Sequence, residues 1–272
     1  MSNTFDAGYC AAPFQDLVNR APDSTVYPFD AFRVEWGPIF HRGRLDGSAR
    51  ILCIGQDPAQ HEAVARRILI GTAGHRAQGF LAKLGINRSY VLINAFLYSV
   101  YGQAGGSRHI GDPAITAYRN EWLAAILQAG DIEAVVAFGA FADTSWKKFT
   151  GAASGSAFAH LTYRHVPHPT SADGHGGTPE QVASALKAML ASWNVALQDL
   201  RSAVLHPDTL QPFVPYGDDF TPAELLPIPQ FDLPAGMPAW MCGDDGWAAR
   251  TGASAADKRK TITIQVPTGV IP

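Results

Sequence analysis

Ile51-Leu52-Cys53-Ile54-Gly55-Gln56-Asp57-Pro58-Ala59-Gln60-His61 is the stretch on which the reading of the fold turns. Its first four residues are apolar and include two isoleucines, which suits a short strand buried on both faces. Gly55 ends the run and Pro58 prevents its continuation, so the chain must turn there. Gln56 and Asp57 are thereby set just past the carboxyl end of a buried strand, where open α/β sheets bind ligands. An isolated Asp-Pro is ordinary turn chemistry. Its significance rests on what the other strands deliver to the same edge.

Working outward, two more buried strands and a fourth, shorter strand are expected. Tyr90-Val91-Leu92-Ile93 delivers Asn94, Ile132 to Phe138 ends at Gly139, and Leu161 to Val166 delivers His168. Helical patterns fall between them. Glu62 to Leu69 suits a turn or two of helix, and Gly71-Thr72-Ala73-Gly74 breaks it. His75 to Leu84 carries Phe80, Leu81 and Leu84 on one side, with Gly85 as its stop. Pro113 to Ala129 has the apolar stripe Ile115, Trp122, Leu123 and Ile126. Ala140 to Phe149 follows the third strand. Thr178-Pro179-Glu180-Gln181 is a helix start, with Thr as N-cap, Pro at N1 and Gln at N3. Near the amino end, Phe14 to Arg20 reads as one short helix. Strands alternating with helices predict an α/β fold: a three-layer α/β/α arrangement with a mostly parallel, four-stranded central sheet. Parallel strands place Asp57, Asn94, Gly139 and His168 at one edge of that sheet.

The character changes near residue 201. Ten of the nineteen prolines lie in the last 72 residues, with few helical patterns. Thr261 to Val266 alternates apolar and polar residues, as a half-buried edge strand does. The expected organisation is an α/β domain over 1–200 and an irregular, Pro-rich extension over 201–272 packed on it. The aromatic and aliphatic content of the extension argues against free disorder.

Composition bounds the function. The chain has 272 residues, 47% of them hydrophobic and 17% charged, with net charge -3. That is globular and no general polyanion binder. Between Gln56 and Ile110, however, Arg66, Arg67, Arg76, Lys83, Arg88 and Arg108 face only Asp57 and Glu62, so this stretch is locally basic. No run approaches the ~18 apolar residues of a membrane span. The amino end lacks the basic start and apolar stretch of a signal peptide. Cys10, Cys53 and Cys242 form no CxxC pair and cannot alone supply four thiolates. A cytoplasmic, nucleoid-associated monomer without metal or cofactor is the expectation.

Four motifs in this order resemble the uracil-DNA glycosylase superfamily, over about residues 25 to 195. Gly55-Gln56-Asp57-Pro58 is similar to the first catalytic motif of the classical enzymes. Leu92-Ile93-Asn94-Ala95 resembles the strand whose asparagine reads the uracil edge, and Val136-Ala137-Phe138-Gly139 resembles the superfamily's third strand. His168-Pro169-Thr170-Ser171 is similar to the second catalytic motif. Arg67 to Gly74 looks more like the thermophilic-type families that carry an iron-sulfur cluster, but the cluster cysteines are missing. In the classical enzymes a tyrosine follows Asp-Pro and crowds the pocket; here it is Ala59. The stacking aromatic of the thermophilic-type families aligns with Leu69, unless Phe80 takes the role. The classical wedge leucine aligns with Ala172.

The resemblance implies a site in which Asp57 stabilises the sugar cation and orients a water, while His168 steadies the departing base. Gln56, Ala59, Asn94 and Leu69 or Phe80 would meet the base. Gly71, Gly74, Thr170 and Ser171 would meet the DNA backbone, the glycines by letting main chain approach a phosphate. The partner implied is DNA holding uracil or another deaminated base. Two function classes remain open. Asp57 favours a monofunctional glycosylase. The missing wedge and stacking aromatic favour a damaged-DNA or nucleobase binding module with little turnover. His160, His165 and His175 read as surface or packing residues.

Overall fold

A computed structural model describes residues 9–174, 176–243 and 246–270. His175 and the residues before Tyr9 lie outside the described residues. The four expected strands form close to their expected bounds: β2 (Ile51–Gly55), β3 (Tyr90–Asn94), β4 (Ala134–Phe138) and the half-exposed β5 (Thr162–Val166). They are parallel, with β2 between β3 and β4. A fifth strand, β1 (His41–Gly43), pairs antiparallel with β3 and gives the order β1-β3-β2-β4-β5. The four-stranded expectation is therefore one strand short. His41-Arg42-Gly43 has no apolar residue and so no hydrophobic signal, yet the strand is buried.

Every residue of β1 to β4 is buried, as a sheet covered on both faces requires, and successive side chains point to opposite faces. Leu52, Ile54, Val91, Ile93, Val135 and Ala137 face one core, with Trp122 and Leu123 of the helix Pro113–Ala129 and Trp146 of the helix Ala140–Thr150. Ile51, Cys53, Leu92, Val136 and Phe138 face the other, with Phe80 and Leu81 of the helix Thr72–Lys83 and Trp193 and Leu197 of the helix Pro179–Ala203. This last helix starts as its sequence predicts: the Thr178 hydroxyl accepts from the Gln181 N–H, and the Gln181 side chain accepts from the Thr178 N–H at 2.9 Å.

Several helices differ from the sequence expectation: the turn expected over Glu62 to Leu69 is the helix Gln60–Ala65, ended by a left-handed Arg66, and the short helix Ala255–Lys260 was not foreseen. The helix Thr72–Lys83 begins before His75 and runs through Gly74, where the sequence suggested a break. A Cβ at Gly74 would lie 1.8 Å from the Leu69 carbonyl oxygen, so glycine lets the first helical turn pack on that loop. The helix Gln103–His109 was not anticipated, because Gly105 and Gly106 lower its helical signal.

Residues after 203 make extensive contacts with the α/β elements. Asp232, fully buried, meets Arg42 at 3.1 Å, Arg44 at 2.5 Å and the Tyr90 hydroxyl at 2.5 Å. The Asp208 carboxylate accepts from the backbone N–H groups of Asn87, Arg88 and Ser89 at the entry to β3. Ile228, Leu233, Met241, Cys242, Trp247 and Ala248 build a third apolar cluster on Ala65 and Ile70. Near the end, β6 (Ala248–Arg250) and β7 (Ile262–Ile264) form an antiparallel pair linked by the short helix Ala255–Lys260.

Candidate active site

The carboxyl ends of β2 and β5 open into a cleft of about 600 Å³, with Gln56, Asp57, Ala59, His168, Thr170 and Ser171 among its walls. Pro58 halts β2, so the Asp57 side chain is held at the cleft by a turn. Its Oδ2 accepts from the Val100 N–H at 2.8 Å. Burial pushes the carboxyl up to about 7, with the nearby Glu62 adding to the rise; the Val100 hydrogen bond and the Arg33 and Arg250 charges oppose it. A carboxylate shifted by burial into the neutral range, at a strand end in a cleft, is a common mark of a working acid or base.

His168 follows β5. The Thr170 N–H donates to His168 Nδ1 at 3.3 Å, and the Thr170 hydroxyl lies 3.1 Å from the same atom. Because a backbone N–H can only donate, Nδ1 accepts, and the neutral ring carries its proton on Nε2. Burial, with the Arg76 guanidinium adding to it, lowers the imidazolium pKa to about 4. The ring is therefore neutral at physiological pH and offers one N–H. Arg76 also fixes the following loop, donating to the Pro169 carbonyl at 2.7 Å and to Asp173 at 2.8 Å.

Asn94 ends β3 and pairs in register with Gly55. It is 6% exposed, and its Oδ1 has no hydrogen-bond partner among the described residues. A Cβ at Gly55 would lie 2.2 Å from that oxygen, so glycine at 55 is the condition for the amide to sit over β2. A buried carbonyl oxygen without a partner costs ~1–3 kcal/mol, a cost that a ligand N–H would remove. Leu69 brings Cδ1 to the same place, 3.7 Å from the Cβ position of Gly55. Its backbone is left-handed at φ 52°, an uncommon conformation for leucine.

Gln56 lines the cleft with its side chain committed to protein. Oε1 accepts from the Phe141 N–H at 3.3 Å, and the chain lies against Gly139, whose φ is +95°. Ala59 is exposed at the cleft, and no ring occupies its position. The Glu62 carboxylate ties this turn down by accepting from the N–H groups of Ala59 and Ile70, both at 2.9 Å.

Five expected residues do not line the cleft: Asn94 and Leu69 are buried beside Gly55, and Phe80, Gly71 and Gly74 are packed against protein. Phe80 is fully buried, its ring edge-on to Phe138 and Trp193, so the stacking role does not pass to it. Gly71 and Gly74 are buried, and their close neighbours are the His61 ring and the Leu69 carbonyl. Their smallness serves protein packing. Ala172 is 2% exposed and carries no wedge. Conversely, Arg33, Ser99, Gly102 and Arg250 line the cleft without having been anticipated. No local pattern joins them: they come from an irregular amino-terminal segment, the loop after β3 and the carboxyl-terminal strand pair. Cys10 is exposed, while Cys53 and Cys242 are buried in different clusters. Among the described residues no three His, Cys, Asp or Glu side chains are grouped to hold a metal.

The mostly parallel α/β/α sheet thus sets a carboxylate and a neutral imidazole in a cleft at its carboxyl edge, with a buried amide on the neighbouring strand, where open α/β sheets bind ligands. A family model for the uracil DNA glycosylase superfamily matches residues 42–190, and the chain belongs to that superfamily. Membership supports a DNA glycosylase kind of function. No curated protein matches the chain. No helix among the described residues is long and apolar enough to cross a membrane.

Proposed function

We propose that the protein is a monofunctional DNA glycosylase that hydrolyses the N-glycosidic bond of uracil, and of other deaminated bases, in DNA. The observation that carries this reading is the pairing, in one cleft, of a carboxylate with a neutral imidazole whose proton sits on Nε2. Breaking a base-sugar bond leaves positive charge on the sugar and negative charge on the base. Asp57, with Oδ2 anchored by Val100, has its other oxygen available for the sugar cation and the attacking water. The His168 Nε2–H donates to the base carbonyl as charge develops there, the type of stabilisation worth ~10²–10³ in rate.

Recognition follows from Asn94. Its unpartnered Oδ1 accepts from the uracil N3–H, and its amide N–H donates to O4. Cytosine offers the reverse pattern and would leave two groups unpaired. A stacked base cannot reach this depth, so the nucleotide must be extruded from the helix. The open position at Ala59 removes the ring that would exclude a C5 substituent, which extends the range to other deaminated or modified bases. A protein working alone on chromosomal DNA in the cytoplasm fits this chemistry.

The test is a gel assay on single- and double-stranded oligonucleotides carrying one uracil. Strands that break at the uracil position only after alkali, with thymine controls intact, support a monofunctional glycosylase. Tight binding with no alkali-labile sites would instead identify a damage-binding module.

A further inference from the structure

Arg33 and Arg250 come from segments 217 positions apart and line the same cleft as Asp57. Arg33 is 6% exposed and rigidly held. Its Nη1 donates to the Ser99 hydroxyl at 3.1 Å and to the Val100 carbonyl at 2.5 Å, and its guanidinium lies 5.1 Å from the Trp36 ring centre and 4.9 Å from that of Tyr101. Its Nε is buried without a partner. Arg250 ends β6 and is exposed. Among the described residues neither arginine has a carboxylate within ion-pair distance, and the only acidic side chain lining the cleft is Asp57. Two guanidiniums are thus gathered where repulsion opposes it. Burial, followed by the Arg250 charge, lowers the pKa of Arg33.

The strand pair that carries Arg250 is fastened to the core beside the cleft. Arg259, on the helix between β6 and β7, meets Glu35 at 3.1 Å and donates to the Phe29 and Phe32 carbonyls. Its guanidinium lies 4.9 Å from the same Tyr101 ring that Arg33 contacts. At the other end Trp247 packs edge-on against His61, 4.9 Å between ring centres. Such anchoring holds Arg250 in place against the like charge of Arg33.

We infer that Arg33 and Arg250 together bind a backbone phosphate of the DNA strand beside the extruded nucleotide, so that the carboxyl-terminal strand pair is part of the DNA-binding site. This rests on the glycosylase reading. Asp57 is one carboxylate for two guanidiniums; a phosphodiester supplies the second negative charge, and guanidiniums suit phosphate oxygens through their forked donors. Arg33 and Arg250 both lie outside the 42–190 span of the family match, one before it and one after.

The experiment is fluorescence anisotropy of a labelled duplex containing a stable abasic-site analogue, measured across a salt series with the full-length protein. Arg250 is exposed, so Arg250→Gln leaves the core intact. Losing one phosphate contact lowers the slope of log affinity against log salt by ~0.9, with affinity at low salt down roughly 5- to 10-fold. Arg250→Glu loses more at every salt concentration. Arg88→Gln, exposed at the opposite edge of the sheet before β3, leaves slope and affinity unchanged. A wild type that binds and excises uracil, with the same slope in both Arg250 variants, overturns this inference alone. A wild type that neither binds nor excises overturns the glycosylase reading and this inference with it.

Discussion

Replacing Asp57 by Asn is expected to remove catalysis and stabilise the protein, with a pH signature that identifies the cause. The carboxyl is raised from 3.8 to about 7, chiefly by burial. At ~1.36 kcal/mol per unit, roughly three units set a ceiling of about 4 kcal/mol for the cost of holding this carboxylate ionised in the fold. The opening to the cleft admits water, so the effective figure is smaller, about 1–2 kcal/mol. Asn keeps an oxygen for the Val100 N–H and forfeits only the charge. The sign is fixed by linkage. The folded state binds the Asp57 proton more tightly than the unfolded state, so wild-type stability from this group is greatest below about pH 4 and falls as pH rises to about 7. The gain from Asp57→Asn is therefore small at pH 4.5 and complete by pH 8. At ~2–4 °C per kcal/mol for a chain of this size, it reaches roughly 2–8 °C in Tm at pH 8. Thermal melts of both proteins at the two pH values, with single-turnover uracil excision alongside, measure all of this. A variant less stable than wild type at pH 8, or equally stabilised at both, would refute a desolvated carboxylate at this position.

The same shift predicts that kcat/KM rises with pH through about 7 and then levels, since Asp57 must be ionised and His168, at about 4, imposes no limb in that range; a profile flat from pH 5 to 9 would contradict it. Ala59→Tyr is expected to narrow the base range, abolishing excision of 5-substituted uracils while sparing uracil on an oligonucleotide panel; unchanged selectivity would show that another side chain fills the space. Asp232→Ala leaves Arg42 and Arg44 buried without their carboxylate and is expected to lower stability by ~3–5 kcal/mol in urea unfolding, and an effect under 1 kcal/mol would mean that water compensates the arginines.

What the sequence disclosed followed from the physics of each element. Ile51–Ile54, Tyr90–Ile93 and Ala134–Phe138 are continuous apolar runs because both faces are covered, and glycine or proline punctuates their ends. Asp57 and Asn94 were legible as candidates because each lies at or just past the end of such a run, and His168 because it stands two residues past the shorter strand Thr162–Val166. His41–Gly43 was not, since it is buried by ion pairs to Asp232, 190 positions away from Arg42, and long-range charge pairing leaves no local period. Phe80 was misplaced as a stacking option because a helix with apolar residues beside the site does not announce which of them turns inward. Gly71 and Gly74 could let main chain approach a phosphate, yet the same freedom from Cβ serves contact with His61 and Leu69. Arg33 and Arg250 each stand in irregular sequence, and only the folded chain reveals that they share a cleft with Asp57.

The central claim is that Asp57 and His168 cleave a base-sugar bond. Its most direct test is mass-spectrometric detection of free base from a uracil-containing oligonucleotide under single-turnover conditions, with wild type, Asp57→Asn and His168→Ala in parallel. The expected result is one equivalent of uracil per strand from wild type, a rate ~10²–10³ lower for His168→Ala, and little release from Asp57→Asn although it binds the DNA. Bound DNA with no free uracil from wild type, or normal release from either variant, would contradict the account.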